Sequence, residues 1–418
     1  MQNALVWAVA VAAIVGVLLR PRNWPEAVWA CGGAALMVAA GLVSPAAAGS
    51  AIAKGADVYL FLTGMMLLAE LAGREGVLDW LAGLAIGASG GSRARLFTLI
   101  YCVGIVVTVF LSNDATAVVL TPAVYAAVRR ARGEALGYLL ICAFIANAAS
   151  FVLPISNPAN LVVYGKTIPP LGAWLRTFLL PSIVSIAVTY GALRWAVRER
   201  LRGSIEAAGG AGTLNAIGRR AAWGIVASGV VLIAASALGF PLGVPACAAA
   251  AVTVLATTQL RGRAIREVAR GVSWSVLPLV AGLFVLVEAL NQAGAMQQIT
   301  HALAACAAMP QLGGALAASF GIAALSNVMN NLPSGLLAGS AVSAMRLTGP
   351  VRDAVLIGVD LGPNLSVTGS LATILWLIVL RKEGVRIGAW EFLKIGALVM
   401  TPALLLAVAA LVVFRAST

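Results

Sequence analysis

Apolar residues along the chain come in runs that approach the roughly 20 needed to span a bilayer. They occupy 4–19, 26–42, 56–71, 137–153, 171–190, 221–237, 245–258, 272–290 and 390–414. One further apolar stretch, 96–128, starts and ends among arginines. Such a pattern predicts an all-α polytopic membrane protein.

The basic residues fix an orientation for these runs. They gather at Arg20 and Arg22, from Arg74 to Arg132, from Arg194 to Arg220, from Arg261 to Arg270 and from Arg381 to Arg386, while 44–55, 239–245 and 293–311 carry almost none. With the basic clusters on the cytoplasmic side, five crossings precede the linker at 201–219 and five follow it, and both termini face the periplasm of a bacterial inner membrane. Residues 96–131 must then enter and leave by the same face, as a re-entrant hairpin. An odd number of crossings per half makes the expected domains, 1–200 and 220–418, inverted-topology repeats of five transmembrane helices each. Recurring markers support this. Gly64–Glu70–Gly76 returns as Gly282–Glu288–Gly294, Leu111-Ser112-Asn113 as Leu325-Ser326-Asn327, and the polar break at Asn147 as that at Asp360. The second hairpin is expected at 311–347, and broken helices at 137–166 and 353–380.

Composition agrees. Of the 418 residues 61% are hydrophobic and only 10% charged, against about 25% charged in soluble domains. The formal net charge of +13 belongs to the loops, so no nucleic-acid partner is implied and membrane lipid is the surrounding medium. The cysteines at 31, 102, 142, 247 and 306 are scattered through apolar segments with no C-x-x-C, which indicates neither a metal nor a disulfide framework. The Met-Gln-Asn start carries no basic n-region, which argues against a cleaved signal peptide.

Candidate chemistry lies in four polar interruptions of the apolar segments. Hairpin one turns at Ser112-Asn113-Asp114-Ala115-Thr116, followed by Thr121-Pro122. The next span breaks at Pro154-Ile155-Ser156-Asn157-Pro158-Ala159-Asn160. Hairpin two turns between Ser326 and Ser334, through Asn327, Asn330 and Asn331. The last break runs from Asp360-Leu361-Gly362-Pro363-Asn364 through Ser366 and Thr368 to Ser370.

Unwound backbone persists at membrane depth only where protein or a cavity satisfies it. Asn157 before Pro158 reads as an N-cap with proline at the first helical position, and Asp114 and Asn331 likewise precede new helical runs. Each break aims free N–H donors at the membrane centre. Any one motif alone reads equally as a cap; four at matching places read as a substrate site for a small oxygen-bearing solute. Its candidate residues are Ser112, Asn113, Asp114, Ser156, Asn157, Asn160, Ser326, Asn327, Asn330, Asn331, Asn364, Thr368 and Ser370.

Ionisable groups within a membrane are functional candidates by default. Asp114 and Asp360, each in a break, are candidates for carrying coupling protons. Glu70 has Arg74 four residues on, the spacing of a structural helix ion pair. His301, the only histidine, reads as interfacial, and the cysteines as core residues. Gly165-Lys166-Thr167 lacks the glycine that a nucleotide-binding loop needs five places earlier, where Asn160 stands. The chain therefore reads as neither an ATPase nor another enzyme, and it calls for no cofactor.

At these segments the sequence resembles the arsenite/antimonite efflux permeases of the ion transporter superfamily. Ser112-Asn113-Asp114 leading to Leu120-Thr121-Pro122, Ser326 through Pro333, and Asp360 through Asn364 followed by Gly369 through Trp376 carry the likeness. Ser156 through Val162 is shared with the superfamily's dicarboxylate carriers. The family's third motif carries a basic residue after Gly-Pro, where this chain has Asn364.

The resemblance implies a scaffold and a mobile substrate-carrying domain working as an elevator. It also implies export of trivalent arsenite or antimonite driven by protons, with a cytosolic arsenite-stimulated ATPase docking in some systems. The residues themselves leave a dicarboxylate or other anion carrier and a sodium–proton antiporter open. An extra carboxylate at Asp114 favours a neutral solute or a cation over an anion. A channel also stays open, although two opposed hairpins suit alternating access better than a continuous pore.

Overall fold

The computed structural model describes residues 2–206 and 212–416, so 207–211 of the expected linker lie outside the described residues. Among the described residues every regular element is a helix. Six helices are long and apolar enough to cross a bilayer alone. Shorter apolar helices, Glu26–Ala39 and Gly243–Thr258 among them, complete the bundle.

One order of elements occurs twice. In the first half the helices Gln2–Leu19, Glu26–Ala39, Pro45–Lys54, Ala56–Arg74 and Val77–Ser89 lead to a hairpin, a broken helix and the long helix Leu171–Ala196. In the second half Ala216–Ala237, Gly243–Thr258, Gly262–Gly271, Val276–Gln292 and Ala295–Ala307 lead to the same series, ending in Ala389–Ala416.

Hairpin one is Arg93–Leu111 returning through Asn113–Ala115, Thr116–Leu120 and Thr121–Arg130; hairpin two is Gln311–Met329 returning as Asn331–Ala344. The broken helices are Leu136–Ala148 with Pro158–Tyr164, and Pro350–Leu361 with Leu371–Lys382. Val77–Ser89 and Ala295–Ala307, each between a span and a hairpin, were not anticipated as separate helices. Each begins after a glycine with positive φ, Gly76 at 73° and Gly294 at 96°.

Small residues let the spans approach closely, as is general for helices in membranes. A Cβ on Gly64 would lie 2.5 Å from the Ala246 carbonyl carbon, and one on Gly282 would lie 2.7 Å from that of Ala30. Ala56–Arg74 thus seats on Gly243–Thr258, and Val276–Gln292 on Glu26–Ala39. These contacts gather the early spans of both halves into one body. The hairpins, the broken helices, Leu171–Ala196 and Ala389–Ala416 pack together as a second body. Val77–Ser89 packs on hairpin one and Ala295–Ala307 on hairpin two, and the first body also meets the hairpins through Ala56–Arg74, beside hairpin one, and Val276–Gln292, beside hairpin two.

The two broken helices cross over between halves. Pro158–Tyr164 packs on Asn331–Ala344 of hairpin two, with Gly339 against the Val163 backbone, and Leu371–Lys382 packs on Thr116–Leu120 of hairpin one. All four interruptions are brought to the centre of the second body in this way.

Candidate substrate site

Each hairpin tip is a strained N-cap. Ser112 holds φ 102° and ψ 160°, and Asn330 φ 77° and ψ 153°, a left-handed region that non-glycine residues seldom occupy. Ser112 Oγ accepts from Ala115 N at 3.4 Å, and Asn330 Oδ1 from Leu332 N at 3.3 Å. The caps are therefore these two residues, one or two places ahead of Asp114 and Asn331, which lie in the first turns that follow.

The tips stand 330 − 112 = 218 residues apart, whereas the two Leu-Ser-Asn triplets stand 214 apart. The triplets are thus one helical turn out of structural register. In register, Thr108 Oγ1 and Thr116 Oγ1 meet at 2.8 Å across tip one, and Ser326 Oγ and Ser334 Oγ meet at 2.7 Å across tip two.

After tip one the helix widens to a π turn over Thr116–Leu120. Pro122 lacks an N–H and its ring crowds the preceding turn. Thr121 Oγ1 donates to Thr116 O at 3.2 Å in partial compensation.

The breaks are braced by side-chain amides. Asn157 caps Pro158–Tyr164 as expected, its Oδ1 accepting from Ala159 N at 3.0 Å, while its Nδ2 donates to Asp360 Oδ1 at 2.8 Å and Ser150 Oγ at 3.3 Å. Asn160 Nδ2 donates to the carbonyl of Ser150 at 2.9 Å and to those of Leu153 and Pro154 at 3.3 Å. Ser156 Oγ donates to Val109 O at 3.1 Å, tying the first break to hairpin one.

In the second break Asn327 Nδ2 donates to Ala323 O and Gly362 O, and its Oδ1 accepts from Ser366 Oγ at 2.6 Å. Thr368 Oγ1 donates to Asn327 O at 3.3 Å, and Asn331 N to Gly369 O at 2.9 Å. Ser370 caps Leu371–Lys382 through Thr373 N at 3.1 Å.

Asn364 is fully buried. It accepts from Asn147 Nδ2 at 3.0 Å and donates to Phe144 O at 3.0 Å. The pocket thus holds this residue with neutral partners, where a basic side chain would require a counter-charge. Asn147 also reaches Thr373 Oγ1 at 3.4 Å. Asn147, Ser150 and Thr373 were absent from the sequence candidates. Ser150 lies outside the quoted motifs, Thr373 lies inside the Gly369–Trp376 motif but was not singled out, and only the polar break at Asn147 had marked that position.

Four buried acceptors in this network have no protein partner among the described residues: Asn147 Oδ1, Asn160 Oδ1, Asn331 Oδ1 and Asp360 Oδ2. Buried polar atoms are rarely left so, and acceptors of this kind call for hydroxyl or N–H donors.

A cleft partly open to the surroundings runs between the two bodies. Hairpin one supplies Ser112 and Asp114, the first break supplies Pro158, and Ala56–Arg74 supplies Leu62, Met65 and Glu70. Asp114 enters the hydrogen-bond network through its backbone N–H, which donates to Asn113 Oδ1 at 2.9 Å. Its carboxylate has no partner among the described residues. Of the sequence candidates only Ser112 and Asp114 line this cleft; the others brace the unwound backbone behind it.

Glu70 also departs from expectation. Arg74 turns to Glu267 and to Glu75, the latter at 3.6 Å, rather than back to Glu70. A partner on another helix outcompetes the neighbour one turn away, and the Glu70 carboxylate is left on the cleft wall.

The sequence matches the family model described as a citrate transporter over residues 8–359. It is 31% identical to an arsenical pump membrane protein of Yersinia enterocolitica, over 83% of this chain and 84% of that one. It is 29% identical to an arsenical pump membrane protein of Escherichia coli K12, over 97% and 98%. The fold is similar to that of the Alcanivorax borkumensis YdaH transporter, with a TM-score of 0.53, 12% identity, and 88% and 87% of the two chains covered. The chain is a multi-pass membrane transporter, not an enzyme, and it belongs to the citrate-transporter family of the ion transporter superfamily, alongside the arsenical pump membrane proteins.

Proposed function

We propose that this protein exports trivalent arsenite and antimonite across the inner membrane in exchange for protons. The observation that carries this reading is the charge of the cleft: its ionisable wall residues, Glu70 and Asp114, are both acidic, and among the described residues no lysine, arginine or histidine lines it. Citrate, a polyanion, would be repelled there. Arsenite at neutral pH is mainly an uncharged trihydroxide, and its O–H groups can donate to the carboxylates of the cleft wall. The arsenical pump relatives point the same way.

In this reading Asp114 and Asp360 carry the coupling protons. Asp114 meets the substrate, and Asp360 holds the break through Asn157. The two halves are inverted repeats, both termini are periplasmic, and the second body moves as an elevator against the first. The gathering of hairpins and broken helices into one body, and the matched order of elements, support that motion. An acidic cleft also suits a small cation, which makes a sodium–proton antiporter the second reading.

Arsenite uptake into everted membrane vesicles, with and without an imposed inside-acid pH gradient, tests the proposal. Gradient-dependent accumulation that a protonophore collapses is the expected result. A sodium flux in place of it would establish the second reading.

A further inference from the structure

We propose that Glu70 is a proton-exchange residue on the stationary wall of the cleft, passing protons between the basic face and Asp114. The inference rests on the proposed coupling role of Asp114 and extends it to a group on the other body.

The depth of each group follows from packing. Val119 sits against Gly73, where a Cβ would meet its Cγ1. Both helices run in the same direction from there, so Asp114, five residues before Val119, stands near the level of Leu68. That is close to the middle of the 19-residue span Ala56–Arg74. Glu70 lies between this level and the arginines at the end of the span. It shares the cleft with Asp114, so water entering from the basic face meets Glu70 first.

The counterpart of Glu70 in the second half has no such freedom. Glu288, 288 − 70 = 218 residues on, accepts from Lys54 Nζ at 3.2 Å and from Gln292 Nε2 at 3.2 Å. The cations nearest Glu70 in the chain and in the adjoining helix are otherwise placed. Arg74 is bonded to Glu267 and paired with Glu75, and Arg263 is bonded to Glu267. Arg270 is exposed. Among the described residues Glu70 has no ion pair within 4.0 Å, and it faces the Cα of Gly271, where any Cβ would collide with its carboxylate.

The step is a plain proton transfer. Protonated Asp114 gives its proton to water in the cleft as that water gives one to the Glu70 carboxylate, and Glu70 then discharges its proton to water at the basic face. Charge and atoms balance without a further reactant.

Two measurements on the full-length protein test this. In the first, Glu70 is labelled with a hydrophobic carbodiimide as a function of pH and read by peptide mass. The two carboxylates share one cleft, so Asp114→Asn changes the pH profile of Glu70 labelling. A midpoint indifferent to Asp114→Asn would overturn the proposal, whatever the substrate.

In the second, Glu70→Gln and Glu288→Gln are compared in everted vesicles. Glu70→Gln lowers gradient-driven arsenite accumulation about tenfold or more and spares arsenite–arsenite exchange, whereas Glu288→Gln spares both. Loss of exchange together with accumulation would make Glu70 a binding or structural residue and sink the relay. If wild-type vesicles accumulate no arsenite, the substrate assignment fails and the labelling result alone decides on Glu70.

Discussion

The Asn157 amide donates to the Asp360 carboxylate at 2.8 Å across 203 residues of sequence, so the cap of one broken helix is held by the last turn of the other. Among the described residues Asp360 Oδ2 has no partner, and Asn157 is the one side-chain anchor of Asp360. Removing the amide strands a buried acid and uncaps Pro158–Tyr164 at once. Asn157→Ala is expected to cost about 2–4 kcal/mol, a lost cap plus an unsatisfied buried group. Asp360→Asn keeps an acceptor for Asn157 and should cost less than half as much while abolishing coupling. Thermal unfolding in detergent, beside vesicle transport, separates the two.

Asp114 has no structural partner to lose. Asp114→Asn should leave elution on size exclusion and the unfolding temperature unchanged, and should abolish pH-driven arsenite accumulation. Full retention of driven export would remove it as the coupling residue.

The hydroxyl pairs across the tips are close equivalents. Thr116→Val or Ser334→Ala leaves one buried hydroxyl without its partner, for which about 1–2 kcal/mol is expected. Removing both members of a pair (Thr108→Val with Thr116→Val) should cost less than the sum of the single changes. A double-mutant cycle on unfolding reads that coupling; strict additivity would show that the hydroxyls do not interact.

Close span contacts give a further set of expectations. Gly64→Leu and Gly282→Leu drive side chains into the Ala246 and Ala30 backbones and should sharply reduce folded yield. Gly32→Leu, on a face with nothing within 4 Å, should be tolerated. Equal yields for all three would contradict the seating of the spans.

No cysteine lines the cleft. Cys142 is buried, and Cys31 Sγ donates to Pro278 O at 3.1 Å. A variant with all five cysteines replaced by Ala or Ser should therefore export arsenite at a rate within about threefold of wild type, since buried cysteines behave as small hydrophobes. Loss of transport by a well-folded variant would favour thiolate ligation.

Much of this was legible in the sequence because the bilayer enforces regularity. Apolar runs become helices, and polar interruptions such as Asn157-Pro158 become breaks with the caps that local chemistry dictates. Register was harder. Leu-Ser-Asn occurs twice, yet it reaches the tip at Ser112 and falls a turn short of it at Asn330, because identity of letters does not fix which residue takes the left-handed φ. Partner choice was harder still: Arg74 had Glu70 at ideal helical spacing and chose Glu267 on another element. Most of the candidate asparagines turned out to brace backbone rather than face the cleft. A polar residue near a break is selected by either need, and only packing tells them apart.

The crossover of the broken helices has a consequence for assembly. Pro158–Tyr164 rests on the second half's hairpin, and Leu371–Lys382 on the first half's. Neither half synthesised alone can close its own tip, so the first must wait, unfinished in the membrane, until the second arrives. A ribosome that stopped at the linker would leave a lipid-facing gap, a ready target for membrane proteases. Two halves supplied as separate chains should rescue each other only when made together.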